Sequence, residues 1–360
     1  MHPASGASES ELRQALAKTP ASFQTNHELG NFLLRAGRYP EAVSLLEAAF
    51  HIKPDDYTNA YDLARAYQAA GDFMAARQQA QRILAAAPNA ELHHLLGDIH
   101  ERLGDPLGAV REYEEAARGQ GSDQNYYDWA TELLLHHAPG PAAEVFAKGA
   151  AAYPRSSRML AGLGAALYAN GSYDEAALRL CSASDLDPSN PAPYIFLGEM
   201  EKTAPEPLGC VTEKLARFVH EQPGNARANY YYAVSLWKRE RASSAEAELQ
   251  KIEALLNEAV RIDPKFAEAD VELGNVRSSR GNLQSALDAY KRALELNPQL
   301  AEAHYQLGLA YKRVGERTKA QEQFQLYQQI DKAEAIALER QRRELRQYLI
   351  TLKDRPAAVR

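Results

Sequence analysis

The side chains best able to do chemistry in this chain are its histidines and the carboxylates near them. "HELGN" at 27–31 opens like the zinc-binding H-E-x-x-H, but Asn31 stands where the second imidazole is needed. "HERLG" at 100–104 fails in the same way. The adjacent pairs His93-His94 and His136-His137 cannot each close on one ion, because neighbours on a helix point about 100° apart. His94, Asp98 and Glu101 do share a helical face at i, i+4 and i+7. A metal site needs three or four converging ligands, which one face of one helix supplies poorly. No G-x-x-x-x-G-K-[ST] phosphate loop and no G-x-S-x-G nucleophile elbow occurs. These patterns point to no metal, no cofactor and no enzymatic activity. The two cysteines, Cys181 and Cys210, are too few for a disulfide framework or a zinc site and read as small apolar fillers in helices.

What positions these residues is a repeat. In 281–298, "GNLQSALDAYKRALELNP", Gly281 breaks the chain, and Ala286, Tyr290 and Ala293 then follow at helical spacing. Pro298 closes the segment, because proline cannot continue a helix. The same skeleton appears at 37–54 as "GRYPEAVSLLEAAFHIKP". Pro20, Pro54 and Pro88 fall 34 residues apart, as do Pro154 and Pro188, and Pro264 and Pro298. Gly121 replaces the proline missing between Pro88 and Pro154. Before each skeleton lies another amphipathic segment with a small residue at its centre, as in Leu273-Gly274. Two backbones can approach closely there.

Read in register, nine units begin near Phe23, Tyr57, Ala90, Asp123, Ser157, Pro191, Ala226, Ala267 and Ala301. The pattern resembles the tetratricopeptide repeat, with its period of about 34 residues and its W-x2-L-G-x2-Y…A-x3-F…P signature. The resemblance implies an all-α fold: a right-handed superhelical solenoid of antiparallel helix pairs. The expected domains are a tail and capping helix at 1–22, nine repeats over 23–334 and a C-terminal capping helix and tail at 335–360. Two units depart from the pattern. Pro205 and Pro207 fall at the sixth inter-helix turn and predict a shortened first helix there. The seventh unit, about 226–266, runs 41 residues, and Ser243 with Glu246 offers a capping box for its second helix.

At the N-terminus, Ser8 and Glu11 offer another capping box, and 8–20 resembles the back half of a unit. An upstream helix, and with it an export signal, would complete the pattern. The expected compartment is cytoplasmic for the chain as given and exported or periplasmic if a leader has been trimmed. No run of about 18 apolar residues encodes a membrane span. The formal charge of −7 disfavours nucleic acid as a partner.

Solenoids of this kind use their concave side as a long binding surface. In the family it resembles, the first helices line that side. The residues two before the leucine, one after the glycine and four after it form a single stripe. That stripe offers Asn31, Tyr61, Arg65, His94, Asp98, Tyr127, Tyr168, Tyr230, Trp237, Asn275, Tyr305 and Lys312 as candidate partner-binding residues. The aromatics among them combine large contact area with few rotors to freeze. Some family members capture a C-terminal carboxylate with paired lysine and asparagine. Here His27 precedes Asn31 and Val271 precedes Asn275, so that pairing is missing. The expected function is a non-enzymatic scaffold that binds a peptide or protein segment. The alternative is a structural subunit of a larger assembly, such as one of the cell envelope, using the C-terminal helix and the extended seventh repeat.

Overall fold

In the computed structural model, residues 8–240 and 246–333 are described, together with Arg343. Ser243 of the expected capping box and, apart from Arg343, the C-terminal helix and tail expected over 335–360 lie outside these residues. The chain falls into two units that divide within one helix, between Val145 and Phe146.

The first unit opens with α1 (Glu9–Lys18) and continues as helix pairs. These are α2 (Phe23–Arg35) with α3 (Tyr39–Ile52), α4 (Tyr57–Ala70) with α5 (Phe73–Ala86), and α6 (Ala90–Leu103) with α7 (Pro106–Gly119). Then follow α8 (Asp123–Leu135) and α9 (Pro139–Ala152), the helix in which the division falls. The second unit holds α10 (Ser157–Ala169) with α11 (Tyr173–Leu186) and α12 (Pro191–Thr203) with α13 (Val211–Glu221). It continues with α14 (Ala226–Glu240) and α15 (Glu246–Ile262), α16 (Ala267–Ser279) and α17 (Leu283–Leu296), and α18 (Ala301–Arg313) and α19 (Arg317–Ala333).

Local chemistry starts and stops these helices. Ser8 and Glu11 form the capping box of α1: Glu11 Oε2 accepts the Ser8 N–H at 2.7 Å and Ser8 Oγ accepts the Glu11 N–H at 3.3 Å. Asp56, Asp72, Asn89, Asp105, Ser122, Ser156 and Asn190 cap later helices with a side-chain oxygen. The turn inside seven of the pairs relies on one residue in the left-handed region. Gly281, at φ 82°, is representative, and five equivalent glycines share its sign. In the fourth pair that position is His137, at φ 63°.

Packing follows from the small central residue of each first helix. A Cβ built on Gly274 would lie 2.3 Å from Cε1 of Tyr290, a residue of α17 that is 1% exposed. Hydrogen in place of a side chain lets α16 and α17 close onto each other. Gly97 meets Tyr113 and Gly308 meets Phe324 in the same way. Ala286, Ala293, Val271 and Leu307 join Tyr290 in one apolar cluster linking α16, α17 and α18.

The sixth pair corrects two expectations. Its first helix is not shortened: α12 has 13 residues, the same as α16. The loss falls on α13, which has 11 residues against 14 in α17. The cause is Pro205. It occupies the position that takes a positive φ elsewhere, and its ring fixes φ near −65°. Ala204 before it is extended, at φ −61° and ψ 142°, as a residue preceding proline must be. The turn therefore runs on to Cys210 and uses up the first turn of the second helix. The second correction concerns the cysteines. Cys181 in α11 and Cys210 just before α13 are not separate fillers but a disulfide, with Cα atoms 6.5 Å apart.

Candidate partner-binding face

The stripe residues of the first helices divide into those that present a side chain and those that are consumed in packing. Within the first unit, Asn31 of α2 donates to the Asp62 carboxylate of α4, and His27 Nδ1 pairs with Asn59 Oδ1 at 3.0 Å. Burial raises the Asp62 carboxyl above the usual range, against the hydrogen bond from Asn31. Tyr61 is half-buried and stacks on Tyr57 with ring centroids 6.2 Å apart. Its hydroxyl is pushed up by burial and by its hydrogen bond to Glu91. Arg65 is exposed. His94 Nε2 reaches Asp128 Oδ2 of the next first helix at 2.8 Å, and its Nδ1 lies 3.8 Å from Asp98. Asp98 in turn accepts the Tyr113 hydroxyl at 2.7 Å.

These contacts, with the Tyr113 hydroxyl 3.3 Å from Glu101 Oε2, engage His94, Asp98 and Glu101 with other helices. The imidazole and carboxylates already bridge neighbouring helices. Among the described residues, no group of three or more His, Cys, Asp or Glu could hold a metal ion.

Tyr127 and Tyr230 are corrections to the candidate set. Tyr127 is 0% exposed and Tyr230 3%, so their rings fill the interior and offer no surface to a partner. Tyr230 lies between Tyr231 and Phe266, at centroid distances of 5.1 and 4.8 Å. Burial drives its hydroxyl pKa well above the usual value.

The second unit keeps more of its stripe at the surface. Tyr168 is half-buried, edge-on to Tyr173 and Phe196 at 5.3 Å each. Trp237 is also half-buried. Asn275 Oδ1 accepts the Tyr290 hydroxyl at 2.9 Å, and its amide donates to Glu272 at 3.0 Å. Tyr305 is 39% exposed, with Tyr327 5.2 Å from its ring centroid. Lys312 is exposed. A depression of about 470 Å³ is lined by Ser278 of α16 and by Gln306, Leu309, Lys312 and Arg313 of α18. Arg313 Nη1 donates to Ser278 Oγ at 2.7 Å and so ties the two first helices together. The stripe rule missed Gln306 and Arg313. The signal for Arg313 was present, since it follows Leu309 by four residues on the same helix.

No helix among the described residues is long and apolar enough to cross a membrane. Comparison with curated proteins gives no match. Solved structures similar to this chain include YrrB, described as a TPR protein with an unusual peptide-binding site. It has 16% identity and a TM-score of 0.43, over 51% of this chain and 95% of that one. MamA has 24% identity and a TM-score of 0.38, over 48% of this chain and 96% of that one. Yeast Tom70 has 14% identity and a TM-score of 0.42, over 94% of this chain and 92% of that one.

Models of the tetratricopeptide repeat match residues 6–57 and 127–191, 33–99, and 301–334, and a TPR repeat model matches 274–315. They match on both sides of the division in α9, over helix pairs whose left-handed turns recur along the chain. The chain belongs to the tetratricopeptide repeat family.

Proposed function

We propose that the chain is a non-enzymatic scaffold that binds a peptide or protein segment along the exposed side chains of its first helices. The observation that carries the reading is the depression between α16 and α18. Its lining comes from two consecutive first helices and combines the apolar Leu309, the amide of Gln306 and two cations, Lys312 and Arg313. Exposed Tyr305 stands one helical turn from Leu309 on the same helix. An apolar floor beside polar groups and an aromatic anchor is the composition of a surface that recognises a chain segment. Helical repeat arrays use such surfaces for binding. The first unit supports the reading less strongly, because its polar stripe residues are engaged with one another.

The test is selection of peptides from a random display library on the immobilised full chain. Fluorescence anisotropy then measures each selected peptide against wild type and against Leu309→Glu and Lys312→Glu. The expected result is at least tenfold weaker binding by both variants with unchanged circular dichroism. Failure to enrich any peptide, or equal affinity for wild type and variants, overturns the reading.

A further inference from the structure

The sixth helix pair departs from its neighbours in both turn and packing, and the disulfide sits where it departs. In the pairs centred on Gly30, Gly97, Gly164, Gly274 and Gly308, that glycine is covered by a side chain of its own second helix, as Gly274 is by Tyr290. Gly198 of α12 is covered instead by Tyr231 of α14, whose Cγ would lie 2.2 Å from an added Cβ. α12 packs more extensively on α14 than on α13. The second helix has been displaced from its usual seat, and other contacts must hold it.

Besides its packing on α14 and the stacking of Phe218 on Tyr194 of α12, with ring centroids 4.7 Å apart, α13 has contacts that run back to α11 and its end. Cys210, the residue before α13, is bonded to Cys181 of α11. Arg217 Nη1 lies 2.7 Å from Asp185 Oδ1, and its Nη2 donates to the Ser184 carbonyl at 2.8 Å. Lys214 Nζ lies 3.0 Å from the same carboxylate. Asp185 is half-exposed, so water competes for these ion pairs and each is weak. Of the ties to α11, the covalent bond is the one that water cannot replace.

We propose that the Cys181–Cys210 disulfide is a redox latch. Closed, it holds α13 against α11; reduced, it frees the N-terminal end of α13 and makes the sixth pair the place where the second unit opens. Cys210 is the more exposed residue of the two, half-buried beside exposed Gly209, whereas Cys181 is 4% exposed. A thiolate of a dithiol reductant attacks Cys210 Sγ, forming a mixed disulfide, and Cys181 leaves as a thiolate that takes a proton from water. The second thiolate of the reductant then displaces Cys210, which is protonated in turn. Two electrons have passed, both cysteines are thiols and the reductant is a cyclic disulfide. The latch is closed in an oxidising compartment and opened by a thiol-reducing environment.

The full chain, purified without reductant, is alkylated under native conditions and weighed by mass spectrometry. Amide hydrogen exchange is then followed with and without dithiothreitol. The oxidised chain should take up no alkyl group and the reduced chain two. On reduction, exchange across 204–221 should rise at least tenfold while exchange across α2 to α7 stays the same. Cys210→Ser should reproduce the faster exchange without reductant; if that variant does not fold, wild type with and without dithiothreitol decides alone. Two free thiols in the oxidised chain, or unchanged exchange at 204–221 on reduction, overturn the latch. A uniform rise along the whole chain also overturns it, because the bond would then be a general staple.

Discussion

Glu201 Oε2 accepts the backbone N–H of Leu208 at 2.9 Å, from a side chain that is 0% exposed. A carboxylate at the end of α12 thus satisfies the turn that Pro205 and Pro207 force open. Lys238 of α14 donates to the carbonyls of Glu201 and Ala204 and closes the same helix end.

Burial raises the Glu201 carboxyl above the usual range, opposed by the Leu208 N–H and by Lys238. A folded-state pKa above the unfolded one gives a contribution that is complete below the ordinary glutamate value of about 4.3 and is lost as pH rises through the folded value. Glu201→Gln keeps an oxygen for Leu208 and carries no charge. At pH 7 it should melt no lower than wild type, with the margin closing as pH falls through the raised value. Glu201→Leu leaves the Leu208 N–H without its acceptor and should cost about 1–3 kcal/mol. Thermal unfolding by circular dichroism at several pH values checks both; a wild type more stable than Glu201→Gln at pH 7 would contradict the cost of the buried charge.

Gly274 and Gly281 should fail for different reasons when replaced by alanine. At Gly274 the new methyl group meets the Tyr290 ring at 2.3 Å, and overpacking of this kind costs about 1–3 kcal/mol. At Gly281 no atom lies within 4 Å, but φ is 82°, and the left-handed conformation alone costs about 1–2 kcal/mol. Gly281→Asn, which tolerates that conformation better, should recover part of the loss in urea titrations. Tyr290→Leu should relieve Gly274→Ala and leave Gly281→Ala as it was.

Tyr127 and Tyr305 separate core from surface. Tyr127→Ala empties a site that is 0% exposed and should cost about 3–5 kcal/mol, the range for large aromatic deletions. Tyr305, at 39% exposure, should cost about 1 kcal/mol or less, since surface substitutions change stability little. Chemical denaturation of the two variants checks the order. Equal losses would contradict the assigned burial.

Asp270 is 0% exposed and is paired with Arg292 through two hydrogen bonds. Burial raises its carboxyl above the usual range against the pull of Arg292. Arg292→Ala leaves an uncompensated carboxylate and should cost about 1–3 kcal/mol at pH 7. Because the folded pKa is raised, protonation should relieve that cost as pH falls. Adding Asp270→Asn should restore part of the loss, and a double-mutant cycle measures the coupling. Strict additivity of the two changes would show that the pair does not interact.

The seam residues were legible because their spacing is local. Ala286, Tyr290 and Ala293 fall on one face of a helix whatever the rest of the chain does. The stripe was less legible, because the same spacing serves a surface residue and a core one. Tyr127 and Tyr305 occupy equivalent positions in their repeats, yet one ring is sealed by its neighbours and the other meets solvent. Only the packing of adjacent helices distinguishes them.

The sequence by itself determined the helices, their pairing and the family, since each depends on periodicity, caps and turn residues within about 34 positions. Pro205 even marked the repeat that would depart. Tertiary structure alone decided how: α12 kept its length, α13 lost residues, Tyr231 covered Gly198, and Cys210 met Cys181. The physical reason is that a proline dictates what its own backbone cannot do. Where the displaced helix then settles depends on side chains far along the chain, whose positions no local rule supplies.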